Sequence, residues 1–258
     1  MSIWGKVIGG VAGFALGGPI GALLGAAVGH GVDKMRGEAI GNDGYAGTGP
    51  GTGFQEHDQE SRQMAFTVAV IALAAKLAKV DGRVTRDEIA AFKSVFKIPP
   101  DEVDSVGKLF NKAKSDPTGF EPYADQIARI FARDPAMLEE LLGALLHIAH
   151  ADGEYHPNEK EYLQRVAAIF GFGPAAFERL EATFIQGKDA DDPYEVMGVD
   201  RSISDEDLKT EYRRLMRENH PDRMVAEGLP PEMIELSNEK VAAINAAYDK
   251  ICKIRGIK

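Results

Sequence analysis

The residues best placed to do chemistry in this 258-residue chain stand near its C-terminal end, in EYRRLMRENHPDRM (211–224). His220 and Asp222 flank Pro221 at the end of a basic helix. A histidine and a carboxylate could share acid–base work, but nothing nearby offers a nucleophile or a closed pocket. A second set lies upstream. Asp81 and Glu88 recur as Asp152 and Glu159 in two Asp-Gly-x-apolar-x-x-x-Glu units, which have the form of the second half of a calcium loop. The places of the first ligands hold Leu77 and Lys79 in one copy and Ile148 and His150 in the other. Those side chains do not supply the oxygens such a loop needs, so a tight turn followed by a helix cap is the better account. The four carboxylates remain secondary candidates for an ion held between the copies. His147 and His150 have a spacing that could ligate zinc; His150 takes the place of Lys79, which points to a solvated face.

Composition bounds what these groups can serve. Hydrophobic residues make up 44% and charged residues 27% of the chain, as in folded soluble proteins. A net charge of −10 argues against wholesale nucleic-acid binding, so any basic surface is a local patch. Cys252 is the single cysteine, which excludes an intramolecular disulfide and suits a reducing compartment. No cofactor is expected.

Residues 7–29 read VIGGVAGFALGGPIGALLGAAVG, with no charge between Lys6 and Asp33. As a helix rising about 1.5 Å per residue, this run can cross a hydrocarbon core of about 30 Å. Gly9, Gly13, Gly17, Gly21, Gly25 and Gly29 recur every fourth residue. Glycine is a poor helix former in water, but in lipid this spacing lets two backbones approach closely, so the ladder predicts a membrane helix that dimerises. A re-entrant hairpin turning at Gly17-Gly18-Pro19 fits the same composition. The flanking Lys34 and Arg36 favour a cytoplasmic C-terminal side. Residues 36–60, rich in Gly, Thr and Pro, read as a flexible tether.

From residue 61 to 187 the apolar spacing is helical, and LAKVDGRVTRDEIAAF (77–92) matches IAHADGEYHPNEKEYL (148–163) at a constant offset. Each copy predicts helix, Asp-Gly turn, helix. Thr85 and Glu88 form a capping box; in the second copy His156 is the cap and Pro157 the first helical residue. This duplication resembles the TerB-like domain, an all-helical module named from tellurite-resistance proteins, which implies a fold and little function.

Residues 188–258 change pattern. PYEVMGV (193–199) predicts a short helix ended by Gly198. A second helix starts at the cap Ser204, with an apolar face of Leu208, Tyr212, Leu215 and Met216. Lys209, Arg213 and Arg217 form a basic stripe with Arg214 beside it. The helix must end near His220, because the residue before a proline avoids the α region. A third helix over 238–252 pairs with it as an antiparallel hairpin, leaving His-Pro-Asp exposed at the tip. Asp-Pro-Tyr-Glu-Val-Met-Gly-Val, Tyr-Arg-Arg-Leu, His-Pro-Asp-Arg and Ile-Asn-x-Ala-Tyr, in this order, resemble a complete J-domain of the DnaJ family. The resemblance implies that His220, Pro221 and Asp222 trigger ATP hydrolysis by a DnaK-type chaperone. It also implies that Lys209, Tyr212, Arg213, Arg214 and Arg217 dock on it. The glycine/phenylalanine region and zinc-binding cysteines of full DnaJ proteins are absent from the sequence.

The expected molecule is all-α: a glycine-zipper membrane segment (1–35), a tether (36–60), a TerB-like domain (61–187) and a J-domain (188–258). That order resembles the DjlA group of bacterial inner-membrane co-chaperones. It implies a single-pass, non-enzymatic protein with cytoplasmic folded domains, partnered by a DnaK-type chaperone, membrane lipid and a second copy of itself. The rival expectation is an envelope-stress scaffold or metal-responsive binding protein acting through the middle domain.

Overall fold

Between Met64 and Leu77 the sequence MAFTVAVIALAAKL has no polar face, and a helix apolar on all sides must be enclosed by others. In the computed structural model that stretch is the second half of α1 (Phe54–Leu77), and each of its residues is buried. The model describes residues 18–23, 54–80, 86–116, 118–151, 153, 155–186 and 192–257, and every element among them is helical. α3 (Val103–Ser115), α4 (Glu121–Ile130) and α5 (Pro135–Ala149) pack around α1. The polar groups that burial strands are answered locally. Tyr162 donates to the carbonyl of Leu73 at 2.8 Å, and Lys76 Nζ donates to the carbonyls of Asp116 and Thr118 at 2.8 and 2.6 Å.

The internal repeat appears as two successive helix pairs, α1 with α2 (Arg86–Phe96) and α5 with α6 (Pro157–Ile169). In the second copy the expected cap is present. His156 is the N-cap, Pro157 leads the helix, and Glu159 accepts the His156 N–H at 3.1 Å. Residues 81–85 of the first copy, Thr85 included, lie outside the described residues. α7 (Pro174–Glu181) continues into a π-helical turn, Ala182–Gln186. This turn comes so close to α5 that a Cβ on Gly143 would lie 2.3 Å from the Phe184 ring, so only glycine fits there.

The C-terminal part consists of α8 (Pro193–Met197), α9 (Asp205–Glu218), α10 (Pro221–Ala226), a 3-10 turn (Pro231–Met233) and α11 (Ile234–Arg255). α9 and α11 run antiparallel. Arg255 pairs with Asp205 at 2.9 Å near one end, and the Tyr212 ring stacks on Tyr248 at 4.0 Å further along. Leu208, Leu215, Ile244, Ala247 and Ile251 fill the space between, together with Val196 and Met197 of α8. Arg255 also donates to the Tyr194 hydroxyl and to the carbonyls of Arg201 and Ile203, fastening the hairpin's open end.

Two seams join this hairpin to the bundle. In the first, Met224, Leu229, Met233 and Leu236 leave the hairpin's own core and enter the bundle's. Burying each such side chain stabilises by about 1.5–3 kcal/mol. Arg62 of α1, paired within the bundle to the Asp134 carboxylate at 2.5 Å, reaches across to the Glu227 carbonyl at 3.0 Å. Gly228 allows this approach: its φ is +108°, and a Cβ there would meet Arg62 Cβ at 3.0 Å.

The second seam is ionic and dry. Lys240 of α11 is 1% exposed, with Nζ 2.8 Å from Glu139 and 3.3 Å from Glu140 of α5. Glu139 is paired as well with Arg179 of α7. Burial pushes the Glu139 carboxyl up, but Lys240 and Arg179 together outweigh it and hold the group at about 2. Glu140 is different. Burial dominates and raises its pKa, with only Lys240, 3.3 Å away, opposing. A raised folded-state value means that Glu140 favours folding in acid. That advantage is lost as pH rises from the ordinary carboxylate range through the raised value.

Of the glycine ladder, Gly21 lies in the described residues; Gly9, Gly13, Gly17, Gly25 and Gly29 lie outside them. Residues 18–23 form a helical turn whose Ile20 and Leu23 are buried in the bundle's core, and the Ile20 N–H donates to Gln126 Oε1 of α4 at 3.0 Å. No described helix is long and apolar enough to cross a membrane.

Two stability measurements check the ionic seam. Lys240→Ala leaves Glu139 with Arg179 alone and Glu140 with no cation beside it, and should cost about 3–5 kcal/mol. Glu140→Gln should raise stability at neutral pH, and its advantage should shrink as denaturant unfolding is repeated toward pH 4.

Candidate partner-docking site

His220-Pro221-Asp222 is a helix start. The sequence reading placed a helix end here, and α9 does end at Glu218 with Asn219 as its C-cap. One residue later α10 begins, with His220 as N-cap, Pro221 as the first helical residue and Asp222 as the second. Each residue type suits its position. The His220 side chain accepts the Asp222 N–H through Nδ1 at 3.2 Å, proline has no N–H to strand, and an acid favours the positive end of the helix dipole. Because Nδ1 is the acceptor, the neutral ring carries its proton on Nε2, which faces away from this bond.

The tripeptide is open to solvent. The side chains of His220 and Asp222 are 57% and 95% exposed, and their nearest charged atoms are 3.8 Å apart. Aspartate so placed cannot orient a catalytic imidazole in a closed pocket, whereas both groups are free to meet another surface.

The basic face of α9 is sorted by its neighbours. Lys209, Arg213 and Arg217 are exposed, lie on one stripe, and form no ion pair among the described residues. Arg214 is held by two carboxylates, with Glu211 at 2.5 Å and Glu218 on the next turn. The hydrogen bond that Arg214 donates to Glu211 raises the Arg214 pKa, and the same bond lowers that of Glu211. Arg214 therefore presents little net charge. Tyr212 is half-buried, stacked on Tyr248, and donates to Asn245 Oδ1 at 2.8 Å. Its main work is to hold α9 on α11.

The secondary candidates resolve in part. Asp81, Asp152 and the side chain of Glu88 lie outside the described residues, and Glu159 is buried with its carboxylate committed to the helix cap. No cluster of three metal-ligating side chains occurs among the described residues. His150 packs against Tyr155 with ring centroids 3.8 Å apart and planes tilted by 42°, and donates from Nδ1 to the Leu146 carbonyl at 3.0 Å, so it is not a free surface group. Sequence reasoning missed α10, and it missed the Lys240 seam. Lys240 stands four residues before Ile244 on the buried stripe of α11, and a lysine on that stripe was the available signal.

Comparison with known proteins agrees with this organisation. Residues 67–182 match the family model for tellurite resistance protein TerB, residues 192–254 the DnaJ domain, and residues 1–48 the transmembrane domain of the co-chaperone DjlA. The chain is similar over 99% of its length to the whole of the co-chaperone protein DjlA of Photobacterium profundum, at 32% identity. It is equally similar, 32%, to that of Vibrio cholerae over the full length of both. The Haemophilus influenzae relative is 33% identical over 77% of this chain and 82% of its own. No solved structure matches.

The cap assignment has a direct check. His220→Ala should weaken the start of α10 by about 0.5–2 kcal/mol, whereas His220→Asn, itself a good cap, should keep it. Amide exchange in residues 222–226 reads the difference.

Proposed function

Because the chain belongs to the DjlA family of membrane-anchored J-domain co-chaperones, we propose that it docks on a DnaK-type chaperone and stimulates ATP hydrolysis there. The observation that carries this reading is the exposed His220–Asp222 cap, which stands at the end of a helix whose unpaired cations face outward. His220, Pro221 and Asp222 act as the trigger. Lys209, Arg213 and Arg217 steer and hold an acidic partner surface. Arg214, already neutralised, and Tyr212, already packed, support the helix that carries them. Hydrolysis takes place on the partner, and no catalytic constellation occurs among the described residues.

The remaining assignments belong to the same proposal. The N-terminal segment holds the protein in the bacterial inner membrane as a single pass, with residues 61–187 and 188–258 as cytoplasmic folded domains. Pairing of two copies in lipid through the glycine ladder requires the 18–23 turn, whose Ile20 and Leu23 are buried in the bundle's core, to leave it. The TerB-like bundle selects clients or partners for the chaperone recruited beside it.

Single-turnover ATP hydrolysis by DnaK, measured with the full chain in nanodiscs, tests this. The parent should accelerate hydrolysis, and His220→Gln and Asp222→Asn should abolish the acceleration. Arg217→Ala should reduce it severalfold, Arg214→Ala far less. Acceleration should also fall between about 0.1 M and 1 M salt, where the screening length contracts from about 10 to 3 Å. A flat salt response together with equal losses from the two arginine variants would remove the basic stripe from the mechanism.

A further inference from the structure

A groove between the end of α1, α2 and α3 encloses about 510 Å³, within the range of about 300–1,000 Å³ typical of small-molecule sites. Its walls are apolar, with Leu77 from α1, Phe92 from α2 and Phe110 from α3. Ile89, at its edge, is 42% exposed, one of only two large hydrophobic side chains so exposed among the described residues. Phe92 and Phe110 meet edge to face at 5.7 Å, so the lining is a packed surface with a defined shape.

The groove also contains a glycine that no protein neighbour explains. Gly107 stands in the middle of α3, where glycine costs up to about 1 kcal/mol relative to alanine. Its φ is not in the left-handed region, and a Cβ placed on it would meet nothing within 4 Å. Neither backbone conformation nor packing asks for glycine, and what its missing side chain leaves open is the groove.

The charge that the described residues place around the cavity is one-sided. Among the described residues, Lys93, Lys108 and Lys114 line it against one acid, Asp104, and none of the three lysines forms an ion pair. An apolar cavity with ammonium groups at its edge fits a ligand with an apolar body and an anionic end. The walls are helices whose backbone groups bond within the helix, so an extended peptide would find no partners for its own amides. A hydrocarbon chain has none to satisfy. We propose that this groove binds one long-chain fatty acid, its chain lying over Gly107 and its carboxylate held by the lysines. The family's transmembrane domain, matched at residues 1–48, places a lipid surface on the same chain.

The test uses the full chain in membranes with a diazirine-bearing palmitate, irradiated and mapped by peptide mass spectrometry. Label should appear in residues 89–96 and 103–115. Gly107→Ala should keep it, because a methyl group leaves the cavity open, and Gly107→Trp should lose it. Since the bulky variant could fail to fold, Lys93→Glu with Lys108→Glu forms a second arm. That exposed pair should lose palmitate labelling while retaining labelling by the corresponding diazirine alcohol. Label confined to residues 1–35, or unchanged in both the tryptophan and the double-glutamate chains, would overturn the proposal. So would labelling of these helices by a photoreactive apolar peptide that excess palmitate fails to displace, which would give the groove to a client segment.

Discussion

An ammonium group with almost no water around it, Lys240 Nζ between Glu139 and Glu140, determines how the two halves of this protein stand against each other. Desolvating three ionisable groups is unfavourable, and packed apolar residues in their place could be more stable. What the cluster gains is geometry. An apolar seam tolerates sliding, whereas a buried lysine between two carboxyl groups has a single good position. Arg179 ties the cluster to α7, and the Phe184 ring, 5.4 Å from Nζ, closes it from the π-helical turn. That turn contributes Ala182 to the hairpin's core, so chain continuity, packing and charge converge at one place.

With the hairpin held in this way, the outward face of α9 is fixed by subtraction. Leu208 and Leu215 point to α11, Tyr212 is bonded down, and Arg214 is spent on its own helix. Lys209, Arg213 and Arg217 are what remain for a partner, and at their end stands a helix N-terminus capped by histidine. Like groups placed at random on a surface would carry similar charge but no direction. Here the charged stripe and the cap share one rigid hairpin, so a partner that reads both must approach from one side.

Much of this was written in local sequence. Ser204, Gly198 and the His156–Pro157 pair act at the caps their types suggest, and α2 and α6 begin 71 residues apart, as the repeat requires. The Arg214 clamp was legible too, since Glu211 and Glu218 stand three and four residues away on the same helix. The failures have a common cause. Pro221 carries two messages, a stop for the preceding residue and a favourable first position for a new helix, and the short α10 offered too few residues to show periodicity. α11 begins at Ile234, four residues before its apparent start, because its first turn packs against the bundle and not within the hairpin. Lys240 stands on the buried stripe of α11, but nothing local shows the two acids across the interface that let it stay dry. Local propensity names the caps; only tertiary contact decides which charges stay dry.

The seam formed by Met224, Leu229, Met233 and Leu236 bears on modularity. The DnaJ match spans residues 192–254, which reads as a cassette that could be lifted from one protein into another. Yet these four side chains inside it are roofed by the TerB-like bundle, and Gly228 is shaped to the backbone of α1. Cut out alone, the hairpin would carry an oily flank directly behind its trigger, inviting self-association. Grafted onto a different neighbour, it would need a matching roof. In this molecule the smallest transplantable unit is the hairpin together with the helices that cover it.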